Sequence, residues 1–291
     1  MRPKLEWQSK LVLLAVLPVA GADLVLQGHW YATTVPQVTV TALGLAVLLA
    51  LITRWRHAAT PGGSFAGAAI TASLIFSTSM PPYQPWRNAI LPVFAVAALA
   101  QLATRMGSAR KERMGLAESR KGRTAAQIAA NLGVAMLAST PQMQSFLLQT
   151  EWFTRATTAP MPLFAVGLAA LAEAAADTVS SEIGQAFGGR PRMLTTLRVA
   201  EPGQDGAISM AGTLAGMAAA VFVAALGAWS VQGNVLLFAV AAAAGIFGLF
   251  FDSLLGATLE QRGGLNNDAV NFLSTAAAAG CALVLLALLP R

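Results

Sequence analysis

The apolar positions of this chain gather into nine runs, 11–27, 35–53, 63–80, 88–104, 125–148, 160–182, 206–229, 232–256 and 267–289, separated by short polar gaps. Each run is near the ~20 residues that a helix needs to cross hydrocarbon. The pattern predicts an all-α fold, a polytopic transmembrane helical bundle of about nine spans, with one integral membrane domain over residues 1–291. The first, third and fourth runs are short, so one of them is a candidate for a re-entrant or internally packed segment.

Composition agrees with that class. Of the 291 residues, 56% are hydrophobic and 11% charged, where a soluble domain carries about 25% charged residues. The net charge of +6 does not form a nucleic-acid patch, because the basic residues sit in the gaps between apolar runs. With the amino terminus inside, only Arg87, Arg155 and Arg291 of the 19 Lys and Arg residues fall in outer segments. That asymmetry is the signature of positive-inside topology in a cell (inner) membrane. The first run follows basic residues and ends near Ala20-Gly21-Ala22, yet Glu6 precedes it and further runs follow at once. It therefore reads as a span rather than a cleavable leader. Cys281 is the single cysteine, which excludes an internal disulfide.

Polar residues interrupt the runs in three places. Asp177, Ser180, Ser181, Glu182, Thr195, Thr196, Arg198, Asp205 and Ser209 gather where the sixth run ends and the seventh begins. Carboxylates and hydroxyls are costly near hydrocarbon, so such a cluster marks a functional site. The loop from Arg105 to Arg123 holds seven Lys and Arg residues, Lys111 and Lys121 among them, punctuated by Gly107, Gly115 and Gly122. Contact with anionic membrane lipid accounts for much of that charge. Gln127 and Asn131 then carry polarity along one helix face into the next span. The third place holds Asp252 near the end of one run, with Asn267, Asp268 and Asn271 opening the next. Asn267 or Asp268 suits a helix cap, whereas Asp252 inside an apolar run needs a partner or a cation.

All three places fall on the inner side by the charge count, so the site faces the cytoplasm. Asp177, Glu182, Asp252 and Asp268 supply carboxylates, Asn131, Asn267 and Asn271 amides, and Arg105, Lys111, Arg123 and Arg198 cations. Hard oxygen ligands suit magnesium and phosphate, not zinc, and the only histidines, His29 and His57, lie elsewhere. No Gly-x-x-x-x-Gly-Lys-Ser/Thr occurs, which excludes a P-loop enzyme. Gly203, Gly206 and Ser209 remain able to offer donors to a phosphate where the seventh run opens.

At these residues the chain resembles a known family. The segments 176–184 (ADTVSSEIG), 194–196 (LTT), 202–213 (PGQDGAISMAGT), 252–257 (DSLLGA) and 267–272 (NDAVNF), with the loop 103–131, are similar to the membrane family called domain of unknown function 92. The resemblance covers about residues 40–289. That family includes transmembrane protein 19 and the plant phytyl-phosphate kinase of tocopherol synthesis. Segment 177–216 is also similar, more distantly, to CTP-dependent lipid kinases and phosphatidate cytidylyltransferases. The resemblance implies transfer of a phosphoryl group from a nucleoside triphosphate, CTP favoured, to an isoprenyl monophosphate such as phytyl phosphate.

On that reading Asp177, Glu182 and Asp252 are the catalytic and Mg²⁺-binding carboxylates. Arg105, Lys111, Arg123, Thr195, Arg198, Gly203, Gly206 and Ser209, with Asn131, Asn267, Asp268 and Asn271, bind nucleotide and phosphate. The isoprenyl tail lies between Gly- and Ala-rich spans. Two other readings stand beside it. A lipid-phosphate cytidylyltransferase would also set CTP against a lipid phosphate. A small-solute or ion transporter would run a path through Asp23, Asn131, Glu173 and Asp177 at the midplane.

Overall fold

The computed structural model of the protein describes residues 6–116, 122–150 and 163–288. Arg2, Lys4, Glu118, Arg120, Lys121, Arg155 and Arg291 lie outside the described residues. Helices follow in the order α1 (Glu6–Thr34), α2 (Pro36–Trp55), α3 (Pro61–Thr78), α4 (Ile90–Arg105), the short α5 (Ser108–Arg113), α6 (Ala125–Ser139), α7 (Pro141–Gln149) and α8 (Phe164–Phe187). After a loop come α9 (Met210–Ser230), α10 (Val235–Leu255), a π-helical turn over Gly256–Glu260, and α11 (Asn267–Leu288). The fold is all-α in class. The exception among the described residues is a pair of two-residue strands, β1 (Arg192–Met193) and β2 (Ala207–Ile208), which pair antiparallel as Arg192↔Ile208 and Met193↔Ala207.

Local sequence explains where the helices begin. Pro36, Pro61 and Pro141 occupy first-turn positions, where the missing N–H costs nothing. Thr60, Thr124, Thr140, Ser209 and Asn234 each cap a helix by accepting the backbone N–H three residues on. Thr124 and Gln127 form a full capping box at α6. The same chemistry breaks one expected span. Residues 125–148 do not form a single helix, because Thr140 turns to extended backbone and Pro141 restarts the chain as α7. The first run is not short either, since α1 has 29 residues and passes through Pro18.

Among the described residues, six helices are long and apolar enough to cross a membrane: α1, α2, α8, α9, α11, and α10 with its π turn. The apolar helices α4 and α6 are shorter, at 16 and 15 residues, and α3, at 18 residues, is not apolar enough to count among the six. The outer faces of α1 and α2 present Leu14, Val25, Val40 and Val47 to the surroundings, as a lipid-facing surface does. Exposed tryptophans mark the ends of the bundle, Trp7 and Trp55 at one and Trp30 and Trp229 at the other. Along α1, Trp7 and Trp30 stand roughly 35 Å apart at 1.5 Å per residue. That separation matches an aromatic belt at each face of a ~30 Å hydrocarbon layer.

Helix α8 is the axis of the bundle. Of its apolar window 83% is buried, against 22% in α1 and in α2, and α4, α6, α9, α10 and α11 all pack around it. Close approach rests on small residues. A Cβ at Gly212 would stand 2.5 Å from the Ser180 carbonyl oxygen, and one at Gly216 2.7 Å from that of Ala176. Such contacts let backbones approach in a medium that supplies little hydrophobic drive between helices. They also set the polar end of α8 directly against the loop that opens α9.

Candidate active site

The polar half of α8 extends past the expected end of its span to Phe187, which brings Asp177, Ser180, Ser181 and Gly184 onto one face at helical spacing. This face forms one wall of a cavity of about 310 Å³. Opposite stands α10 with Asp252 and Ser253, then Gly256 and Glu260 from the π turn. Gln127 and Asn131 of α6 and Asn267 and Asn271 of α11 line it as two i, i+4 pairs. The loop 202–207, with Gly203, Asp205 and Gly206, closes the rim.

Each element is fixed where the site needs it. Arg123 lies on the chain between residues 57 and 60: its N–H donates to Ala58 O (2.9 Å), and its carbonyl accepts from Thr60 N (3.0 Å). Gly122 before it has φ +76°, and a Cβ there would meet Ala59 N at 2.6 Å, so only glycine permits this seating. The rim loop is held in the same way. Gln261 Nε2 donates to Asp205 O at 2.7 Å, and Gly206, at φ +73°, lies so close to the π turn that a Cβ would stand 2.5 Å from Ala257 Cα. Gly206→Ala is therefore expected to destabilise the protein by about 1–3 kcal/mol, read as a lowered midpoint of thermal unfolding in detergent. An unchanged midpoint would show that the rim does not rest on this contact.

The cavity is acidic. Asp177, Glu182, Asp205, Asp252 and Glu260 line it, with Arg123 as the single basic lining residue among those described. Asp252 stands within the electrostatic reach of Asp177, Glu173 and Glu260. Two buried oxygens at the cavity wall, Asp252 Oδ2 and Asn131 Oδ1, have no hydrogen-bond partner. Buried polar atoms are normally satisfied, so these two call for a cation or a ligand. Among the described residues no three His, Cys, Asp or Glu side chains stand grouped to hold a metal on their own. Mg²⁺ commonly uses one or two carboxylates and completes its shell with water and substrate phosphate. The donor set present therefore fits it.

Several residues expected at the site are placed elsewhere. Lys111 is buried; its Nζ donates to Ala103 O (3.3 Å) and Thr104 O (2.7 Å) and forms an ion pair with Glu182. Those three bonds use all of its protons, so Lys111 is a strut between α4 and α8, not a phosphate ligand. Glu182 reaches the cavity with Oε1 accepting from Thr104 Oγ1 (3.1 Å) and Oε2 paired to Lys111. Thr195 and Arg198 are exposed on the β1 loop and do not line the cavity. Asp268 turns to α1, where its Oδ2 accepts from Ser9 Oγ at 2.5 Å. Asn266, not Asn267 or Asp268, caps α11, accepting from Ala269 N at 2.9 Å. Ser209 lines the cavity with its Oγ accepting from Gly212 N, and Arg105 lines a second, neighbouring cavity.

Glu260, Ser253 and Gln185 join the site without having been singled out. For Glu260 the signal was spacing along the chain, since Asp252, Gly256 and Glu260 follow at i, i+4 and i+8. Asp23 and Glu173 line neither cavity. Asp23 instead ties α1 to α3, accepting from Ser73 (2.6 Å) and Ser77 (3.1 Å).

With this geometry in hand, comparison with known proteins decides the family. The profile described as integral membrane protein DUF92 matches residues 44–279. The chain belongs to the DUF92 family. Within it, this chain is 41% identical over 108 residues to the uncharacterized membrane protein MJ0933 of Methanocaldococcus jannaschii, covering 37% of this chain and 45% of that one. It is 32% identical over 188 residues to the chloroplastic protein VTE6 of Arabidopsis thaliana, covering 63% and 54%. It is 30% identical over 202 residues to the uncharacterized membrane protein sll0875 of Synechocystis, covering 68% and 73%. The matched region thus spans about half the length of the first two relatives. No solved structure matches this DUF92 chain.

Proposed function

We propose that this DUF92 protein is a membrane-embedded, Mg²⁺-dependent phosphotransferase. Its substrates are an isoprenyl monophosphate of the phytyl type and a nucleoside triphosphate, CTP preferred, and its product is the isoprenyl diphosphate. The observation that carries the reading is the acidic cavity itself: among the described residues, five carboxylates line it against one guanidinium, with an unpartnered Asp252 oxygen. Such a surplus of negative charge at the end of a membrane bundle repels phosphate unless cations accompany it. The family's phytyl-phosphate kinase supplies the substrate class, and the preference for CTP rests on that resemblance alone.

In this reaction an oxygen of the isoprenyl phosphate attacks the γ-phosphorus of the triphosphate, a new P–O–P bond forms, and the bond to the β-phosphate oxygen breaks to release the nucleoside diphosphate. The protein has little covalent work to do; position and charge carry the catalysis. Asp177 and Asp252, with Asn131 Oδ1, would hold Mg²⁺, which when bound supplies positive charge to the triphosphate oxygens. Arg123 orients phosphate at the cavity edge. The Gly203–Gly206 rim and the capped start of α9 face the remaining phosphates, and Asn267 and Asn271 offer amide donors. A phosphate monoester dianion is already a nucleophile at neutral pH, so no strong general base is required.

The test is product identification from purified protein in liposomes supplied with isoprenyl monophosphates of several chain lengths and with CTP or ATP. An isoprenyl diphosphate, formed faster with CTP, is expected. A CMP-linked lipid with pyrophosphate release would instead establish a cytidylyltransferase.

For topology we propose nine crossings, with the amino terminus and the acidic cavity on the cytoplasmic side. A reporter after residue 291 is then expected to read the outer compartment and one near Gly115 the cytoplasm. A cytoplasmic signal from both removes one crossing, with α3, α4 and α6 the first candidates by length.

A further inference from the structure

A second cavity, of about 360 Å³, adjoins the acidic one and is its chemical opposite. Its walls come from α2, α3, α4 and α6 and are apolar, with Leu49, Ala68, Val93, Val96, Ala97 and Leu132. Among the described residues no Asp or Glu lines it. Its arginines sit at one end, with His57 beside them: Arg56 and His57 follow α2, Arg105 closes α4, and Arg123 precedes α6. Three buried polar side chains in its wall have an oxygen without a hydrogen-bond partner: Ser64 Oγ near the start of α3, Thr71 Oγ1 deeper along it, and Asn131 Oδ1. Arg123 and Asn131 line both cavities and form the partition between them.

An apolar chamber with a basic mouth and the unpartnered Ser64 hydroxyl, able to donate, beside it suits one kind of ligand, a single apolar chain that ends in a phosphate monoester. The volume lies near the lower end of small-molecule sites, ~300–1,000 Å³, which favours one chain over the paired chains of a phospholipid. The geometry points to this cavity as the binding site of the acceptor lipid. Its isoprenyl tail lies between α3 and α4, and its phosphate sits among Arg56, Arg105 and Ser64 Oγ, beside Arg123. The choice of a phosphate headgroup as acceptor rests on the phosphotransferase reading; the apolar chamber and its basic mouth do not. The arrangement sorts the two substrates. The carboxylates of the first cavity repel a bare lipid phosphate, the apolar walls of the second offer a triphosphate nothing, and the two phosphates meet across Arg123.

Photolabelling of the unaltered protein tests this. The probe is an isoprenyl monophosphate with a diazirine at the end of its chain, used with the protein in lipid nanodiscs without nucleotide or divalent cation. Labelling is expected at the deep end of the chamber, around Thr71 of α3 and residues 93–97 of α4, and excess unlabelled isoprenyl monophosphate should displace it. Inorganic phosphate alone, or the isoprenyl alcohol alone, should not. Gly67→Leu, whose side chain grows past Ile128 at the cavity wall, should cut labelling more than about tenfold. Arg105→Gln should weaken retention of the phosphate probe and leave any uptake of the alcohol unchanged. Label spread over the outer faces of α1 and α2, or equal displacement by inorganic phosphate or by the alcohol, would overturn the assignment. The readout needs no turnover. Labelling here without diphosphate formation would keep this site and remove the proposed reaction, while diphosphate formation with label elsewhere would do the reverse.

Discussion

Asp252→Asn is expected to lower turnover by at least roughly 10²–10³-fold, the scale seen when a single electrostatic contact to a developing charge is removed, while the protein still folds and inserts. The two halves of that expectation have different causes. Folding tolerates the change because Asp252 Oδ2 has no hydrogen-bond partner, and loss of a charge from the inner wall of an apolar helix relieves a desolvation cost. Turnover does not tolerate it, because an amide cannot replace a carboxylate that, with Asp177, would hold the cation. Asp177→Asn should behave in the same way. Activity measured against Mg²⁺ concentration checks both: residual turnover should need far more Mg²⁺. Full turnover of both variants at low Mg²⁺ would mean that the cation sits elsewhere.

The second large effect concerns stability. Lys111→Met leaves Glu182 without its ion-pair partner and removes the donor that satisfies the carbonyls of Ala103 and Thr104 at the end of α4. Breaking one side of a buried pair costs about 3–5 kcal/mol, so a large drop in the thermal unfolding midpoint is expected. Lys111→Met combined with Glu182→Gln should recover part of the loss, because the uncompensated charge is then gone. If the single variant unfolds like the parent, or the double variant is no better than the single, the pair does not hold α4 to α8.

This pair also shows what a sequence withholds. Lys111 lies in a basic loop beside Arg110 and Arg113 and has the look of a phosphate ligand; only the packing of α4 and α5 against α8 reveals that Glu182 consumes it. Arg105 is a similar case. Its place at a helix end was plain, yet the cavity that it borders forms only when α2, α3, α4 and α6 come together. Asp268 sits one residue from Asn267, and helical rotation sends the first to Ser9 of α1 and the second to the cavity. Local signals, by contrast, carried far. Apolar runs located the helices, and the polar steps along the α8 sequence from Asp177 to Glu182, with Gln127 and Asn131 on one helix face, lie in the walls of the acidic cavity. The break at Thr140–Pro141 was written in a capping residue followed by proline, and a run of apolar positions on both sides masked it.

The central claim is that the acidic cavity transfers a terminal phosphoryl group. Paired reactions with CTP labelled at the γ- or the α-phosphate, on purified protein in liposomes with Mg²⁺ and an isoprenyl monophosphate, test it most directly. Label from the γ-position should enter the lipid and label from the α-position should not, and Asp252→Asn should abolish the incorporation. Label entering from the α-position, or from neither, would contradict the account.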